Sequence, residues 1–283
     1  MDIIKAVLLG IIQGITEFLP ISSSGHLVVF QNLFGLHQPQ LLFDIMVHFG
    51  TLMAVFLVFR EDIVNIVKEL YLYVSNRLKK ESSKTSEKSS YNIKLLQFII
   101  IATIPTFIIG YLFEKKVEEL FSSLKIVGIM LLITGLLLWL TKRFSKDDKD
   151  IHKMSFKNAL VIGFVQGLAI LPGISRSGST IAFGLFQGLE KSLAIRFSFL
   201  LSIPAILGAM TLKLGELLHL DYSLMIPNII GMIVAFLAGY LSLKFLIRII
   251  MKGNFFYFAY YCWLFGLFTL IVPFFLPFSP PPF

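Results

Sequence analysis

The sequence predicts an all-α polytopic membrane protein: six transmembrane helices plus two re-entrant helical hairpins, arranged as an inverted-topology repeat. Three observations predict it. Hydrophobic residues make up 56% of the 283 and charged residues 15%, against about 45–50% and about 25% in soluble domains. Apolar runs of spanning length follow one another with few long polar gaps. Two shorter apolar stretches are broken midway by Ser-, Gly- and Pro-rich motifs, and these two stretches match each other.

A helix crosses the hydrocarbon with about 20 apolar residues. Segments 41–59, 93–113, 124–141, 194–212, 224–247 and 255–276 meet that length. The stretch 4–19 does not; it ends at Pro20-Ile21-Ser22-Ser23-Ser24-Gly25, and 26–36 is too short to cross alone. The stretch 159–171 followed by 179–189 has the same shape, broken at Pro172-Gly173-Ile174-Ser175-Arg176-Ser177-Gly178. Each pair reads as a short helix in, a polar tip and a short helix out. Irregular backbone at membrane depth is tolerated where it is buried in protein or lines a cavity. The N-terminal stretch lacks a small-residue cleavage site and carries Glu17 into the first motif, so it is expected to be retained.

With six spans, 60–91, 142–157 and 248–254 share one side and hold most of the loop Lys and Arg. On the other side, 114–123 and 213–223 mix Lys115, Lys116 and Lys213 with Glu114, Glu118, Glu119 and Glu216. The first side is therefore expected to be cytoplasmic and both termini outside. The net charge of +8 serves topology and does not point to nucleic acid. The polar stretch 76–91 and the prolines at 280–282 read as segments without a fold. Cys262 is the only cysteine, which excludes an internal disulfide and a Cys-based metal cluster.

One membrane domain, 1–283, is expected, with repeats of approximately 1–141 and 154–283. The broken stretches align without gaps at a spacing of 153 residues: Gly10 with Gly163, Gln13 with Gln166, Gly14 with Gly167, Ser22 with Ser175, Ser24 with Ser177, Gly25 with Gly178 and Gly35 with Gly188. The first stretch starts outside and the second inside, so the halves are inverted. Such repeats place a site near the midplane, where the broken helices meet.

Chemistry-bearing residues gather at these breaks. Gln13 and Glu17, four apart, share one helix face. An ionisable group inside a membrane is costly and marks a functional candidate. Helices starting after Ser/Gly tips present free N–H groups and partial positive charge, which suit a phosphate. Arg176 adds a fork matched to phosphate oxygens. Taken singly, each has a structural reading: Glu17 snorkelling at a helix end, the Ser/Gly runs packing or capping helices, His26 filling a core. Their joint occurrence in both tips favours a site. Asp44 and His48, one turn apart, either line the cavity or pair with each other or with Arg196, and the structural reading is favoured.

The motifs Gln13-x-x-x-Glu17, running into Phe18-Leu19-Pro20-Ile21-Ser22-Ser23-Ser24-Gly25-His26, and Pro172-Gly173-Ile174-Ser175-Arg176-Ser177-Gly178-Ser179-Thr180 are those of a known family. Over essentially its whole length the chain resembles the undecaprenyl-diphosphate phosphatases of the bacitracin-resistance type. The resemblance implies hydrolysis of undecaprenyl diphosphate to undecaprenyl phosphate and inorganic phosphate, for recycling of the cell-wall lipid carrier and bacitracin resistance. It further implies a bacterial plasma (inner) membrane location, an outward-facing site and a divalent cation, Mg²⁺ or Ca²⁺. Gln13 stands at the first acidic place of the motif, a variation the family allows, and it leaves fewer carboxylates to hold a cation.

Expected roles follow. Arg176 holds the diphosphate and stabilises charge on the transferred phosphoryl group, helped by Ser175, Ser177, Gly178 and Thr180. Gln13, Ser22, Ser24 and Gly25 complete substrate binding. Ser23 is the first choice of nucleophile, with His26 as its base or as acid to the leaving group. Phosphohistidine formation at His26 and direct attack by water are the competing assignments. Glu17 orients His26 or holds the cation through water. The partners expected are the polyprenyl diphosphate and membrane lipids; a homodimer is allowed for.

Two rival functions are weighed. Acid-phosphatase-like lipid phosphatases also pair Ser-Gly-His with Ser-Arg, but Ile181 and Ala182 stand where their second His belongs. A transporter or flippase of polyprenyl phosphate would share the inverted repeat and the arginine; turnover separates it from an enzyme.

Overall fold

The computed structural model describes residues 1–36, 40–78, 87–121, 123–144, 148–212 and 225–274. Their helices are α1 (Ile3–Phe18), α2 (Ser23–Leu33), α3 (Leu41–Val58), α4 (Arg60–Leu78), α5 (Glu87–Phe121), α6 (Leu124–Phe144), α7 (Phe156–Leu168), α8 (Arg176–Phe186), α9 (Lys191–Leu212), α10 (Met225–Met251) and α11 (Phe258–Ile271). Among the described residues there is no β-strand beyond an isolated bridge between Lys149 and Leu189. The protein is all-α.

Among the described residues, six helices are long and apolar enough to cross a membrane: α3, the Tyr91–Phe113 part of α5, α6, α9, α10, and α11 with its flanking 3₁₀ turns over Phe255–Phe274. They fall on the six segments expected from hydropathy. Large apolar side chains stay exposed along them, Ile104, Phe107, Leu237, Leu241 and Leu264 among them. Such surface belongs in lipid, and the chain is a multi-pass membrane protein.

Three segments depart from expectation. Residues 60–78, read as part of a connecting loop, form α4. Ile63, Ile66, Val67 and Leu70 recur at helical spacing, so one face is apolar and Ile66 is buried. Polar contacts anchor it: Asp62 pairs with Arg196 at 3.2 Å, and Asn92 Nδ2 donates to Glu69 Oε1 at 2.7 Å. Helix α5 runs on to Phe121, through most of the expected loop 114–123. Of the stretch 76–91, read as a segment without a fold, 76–78 close α4 and 87–91 open α5, so both its ends are helical continuations of their neighbours. Residues 79–86, and all of 213–223 and 280–282, lie outside the described residues.

The third departure concerns the tips. Helices α2 and α8 begin at Ser23 and Arg176, three residues before the expected starts at 26 and 179. The reason is capping: Ser22 Oγ accepts from the Gly25 N–H at 3.3 Å, and Ser175 Oγ from the Gly178 N–H at 3.1 Å. Ser22 does this at φ 68°, the one non-glycine residue with positive φ among those described. Strain of this kind persists where surrounding structure enforces it. The two helices have the same length, 11 residues each. Both end before a glycine of positive φ, Gly35 at 69° and Gly188 at 84°.

Glycines let the first helix of each broken pair pack closely. Helix α1 lies on α10 and α3, and α7 lies on α5. A Cβ at Gly14 would stand 2.7 Å from the Ala235 carbonyl oxygen and 2.7 Å from Ala238 Cβ. A Cβ at Gly163 would collide with the Ala102 backbone. Small residues spaced by four are the usual device for such approach in membranes. We therefore expect Gly14→Val to lower the melting temperature in detergent, reflecting about 1–3 kcal/mol of overpacking. Gly110→Val should leave it unchanged, since nothing lies within 4 Å of a Cβ there.

Candidate active site

Everything at the site converges on one carboxylate. Glu17 sits in the last turn of α1 with its side chain only 7% exposed. Its Oε1 accepts from Arg176 Nη2 at 2.7 Å. Its Oε2 accepts from Ser23 Oγ at 2.7 Å and from Gln13 Nε2, one turn earlier, at 3.0 Å. Ser23 opens α2 and Arg176 opens α8, so the carboxylate ties the two broken segments together. At the 153-residue spacing these two are also equivalent positions.

The tips themselves touch. A Cβ at Gly25 would lie 3.5 Å from Gly173 Cα, and one at Gly178 would lie 3.0 Å from Pro20 Cβ. Shifting by 153 exchanges these contacts, since Pro20 corresponds to Gly173 and Gly25 to Gly178. Ser177 Oγ donates to the Phe18 carbonyl at 3.0 Å. Thr134 on α6 braces the second tip, donating to the Gly173 carbonyl at 3.1 Å and accepting from the Ser175 N–H at 3.2 Å.

Several expected ligands are turned to holding this framework. Ser175 Oγ caps α8 and lies 3.3 Å from Ser177 Oγ. Thr180 Oγ1 is 2.5 Å from Ser198 Oγ and also reaches the Arg176 carbonyl. All three residues are buried. Ser22 Oγ caps α2 and lies 3.3 Å from Ser24 Oγ, so Ser22 too is committed. Gly25 and Gly178 are contact points of the tips, which is reason enough for glycine there.

His26 departs most from expectation. It is 2% exposed, and its ring stacks on Phe265 of α11 at 4.0 Å. Nδ1 lies 2.8 Å from the Ser22 carbonyl and Nε2 2.8 Å from the Tyr261 hydroxyl. The carbonyl only accepts, so Nδ1 carries the hydrogen and Nε2 accepts from tyrosine. Both nitrogens are occupied, and neither serves Ser23 or Glu17. The spacing to Ser23 suggested a shared face, but the pull of the Ser22 carbonyl one turn back and the aromatic wall of α11 turn the ring aside.

His48 was missed. Its Nε2 lies 3.8 Å from Glu17 Oε2. Its Nδ1 lies 2.7 Å from the Asp44 main-chain carbonyl, while Asp44 Oδ1 accepts from Gln31 Nε2 at 2.7 Å. Arg196 pairs elsewhere, with Asp62. The signal was the i,i+4 pair itself, an ionisable couple inside a span, but nothing in the sequence shows which helix α3 faces.

The polar atoms left over suggest a ligand. Arg176 Nη1 and Gln13 Oε1 are buried without a hydrogen-bond partner. A buried unpaired cationic N–H is costly, and an anion would satisfy it. The first turns of α2 and α8 add backbone N–H groups without intrahelical partners. A phosphate is therefore well matched to the junction of the tips. A protein-held cation is not. No group of three His, Cys, Asp or Glu stands ready to ligate among the described residues. Glu17, the single carboxylate there, already has both oxygens engaged, one of them by a guanidinium.

Comparison with known proteins agrees with the motifs. Residues 6–268 match the family described as bacitracin resistance protein BacA. A protein of Desulforapulum autotrophicum named undecaprenyl-diphosphatase is 46% identical over 274 residues, covering 97% of this chain and 99% of that protein. Proteins of the same name from Halothermothrix orenii and Desulfosudis oleivorans are 45% and 47% identical, each covering at least 95% of this chain and 98% of its own length.

Proposed function

The chain belongs to the bacitracin resistance protein BacA family, and on that premise we propose that it hydrolyses undecaprenyl diphosphate to undecaprenyl phosphate and inorganic phosphate. The observation that carries the reading is the Glu17 carboxylate, held at 2.7 Å by both the Ser23 hydroxyl and the Arg176 guanidinium across the two tips. A hydroxyl donating to a buried carboxylate is set up to lose its proton as it attacks.

Ser23 Oγ attacks the terminal phosphorus while its proton passes to Glu17 Oε2. The bridging P–O bond breaks, and undecaprenyl phosphate leaves with the bond's electron pair. Water then attacks the phosphoserine, the Ser23 O–P bond breaks, and Ser23 regains a proton from Glu17. The proton lost by the water goes to the released phosphate. Arg176 spans both needs: Nη2 fixes Glu17, and Nη1 is left for the phosphoryl oxygens. The N-termini of α2 and α8 spread further positive potential over the transferred group. His26 holds the first tip in place rather than reacting. A Mg²⁺ or Ca²⁺ ion, when bound, would supply charge neutralisation to the diphosphate, and among the described residues no group of three His, Cys, Asp or Glu stands ready to hold it.

We place the site on the outer side of a bacterial inner membrane, with both termini outside. The support is the clustering of Lys and Arg on the opposite side. The re-entrant reading rests on length: α1, α2, α7 and α8 span 16, 11, 13 and 11 residues, each short of a full crossing. The equal lengths and caps of α2 and α8 and the exchanged tip contacts support the inverted repeat.

The test is phosphate release from undecaprenyl diphosphate by purified protein in detergent, with and without Mg²⁺. Glu17→Gln keeps an acceptor for Arg176 and removes the base. It is expected to lower kcat by about a hundredfold while leaving the protein folded. A folded wild type that releases no phosphate at any cation concentration would overturn the phosphatase reading and favour a transporter.

A further inference from the structure

We propose that His48 is a positioning residue of this site, holding Glu17 Oε2 in line with Ser23; the inference rests on the phosphatase reading above. Glu17 Oε1 is fixed by Arg176, whereas Oε2 has two tasks, receiving Ser23 and later returning its proton. Gln13 steadies Oε2 from the same helix. Among the described residues, His48 is the one group from outside the broken segments that reaches it, at 3.8 Å, an ion-pair separation rather than a hydrogen bond.

The ring is held in register for this. Nδ1 lies 2.7 Å from the Asp44 carbonyl, one turn back on α3, so Nδ1 carries a hydrogen; Nε2 is the atom turned to Glu17, and it attracts the carboxylate when it carries a proton too. The backbone beneath is fixed too: a Cβ at Gly50, two residues on, would collide with the Met232 carbonyl of α10. At 32% exposure His48 stands on the more open side of a carboxylate that is itself 7% exposed. The neighbouring charges have their own partners. Asp44 is engaged by Gln31, Asp62 of α4 pairs with Arg196 of α9, and Arg176 of α8 reaches His48 only through Glu17.

The experiment compares His48→Ala and His48→Gln in the same phosphate-release assay, with melting temperatures measured alongside. Glutamine places an amide N–H near where Nε2 stands, without a titratable ring. We expect His48→Ala to lose on the order of ten- to a hundredfold in kcat with KM within about twofold, as for a displaced reacting group. His48→Gln should recover to within about threefold of wild type, with both variants melting near wild type. Activity of His48→Ala within twofold of wild type, or a His48→Gln as slow as the alanine variant, would overturn the assignment. So would losses of kcat that simply track losses of melting temperature. An inactive wild type would overturn the phosphatase reading itself and this inference with it; an active wild type with an unimpaired His48→Ala overturns this inference alone.

Discussion

Arg176→Ala is expected to lower kcat for phosphate release by about 10³-fold or more, the scale on which a charge-stabilising arginine acts in phosphoryl transfer. Two losses combine. The transferred phosphoryl group loses the guanidinium whose Nη1 is buried and unpartnered. Glu17 loses its 2.7 Å partner and is stranded as a buried charge. The second loss also costs about 3–5 kcal/mol of stability, so activity alone would be ambiguous. Two further variants separate the effects. Arg176→Lys keeps the charge but not the planar fork, so it should hold the fold better than alanine while still losing most of the rate. Glu17→Gln combined with Arg176→Ala removes the stranded charge, so its melting temperature should rise above that of Arg176→Ala with no recovery of activity. Turnover by Arg176→Ala within tenfold of wild type would show that the arginine serves the fold and not the phosphate.

How much of this was legible in the sequence follows from what spacing can encode. The six spans were readable because lipid demands long apolar runs, and composition alone records those. The two broken segments were readable because Ser, Gly and Pro cannot stand in such runs without a reason. The partnership of Glu17, Ser23 and Arg176 was legible only as a grouping of motifs. That Ser23 and Arg176 share one carboxylate depends on the tips meeting. The start of α2 at Ser23 was missed because a capping serine looks in sequence like any other serine of the tip. The surroundings of His26 and His48 were not legible, for one physical cause. Spacing says which residues share a face of their own helix, but not which other helix covers that face. For His26 the covering helix is α11, more than 200 residues away in sequence, whose Tyr261 and Phe265 capture the ring. For His48 it is α1, which brings Glu17.

Ser23→Ala carries the other large effect and decides between nucleophile and ligand. Removing an attacking hydroxyl typically costs about 10³-fold or more, because no other group can form the covalent intermediate. The substitution should be structurally mild. Ser23 is the first residue of α2, a position alanine occupies readily, and the cap is made by Ser22. Only the hydrogen bond to Glu17 is lost, while Arg176 and Gln13 still hold the carboxylate. Acid quenching during turnover of substrate labelled in its terminal phosphate should trap labelled phosphoserine in the wild type and none in Ser23→Ala. If Ser23→Ala instead keeps turnover within tenfold, water attacks directly and Ser23 only orients Glu17. The geometry argues for the covalent route. Ser23 and Arg176 stand at equivalent places, each the first residue of a helix whose N-terminus faces the junction of the tips. On the proposed mechanism one half of the chain supplies the attacking hydroxyl and the other the charge that receives the phosphoryl group, with Glu17 bonded to both. A hydroxyl kept only to orient that carboxylate would leave the first helix without a reacting group, although its position mirrors the arginine.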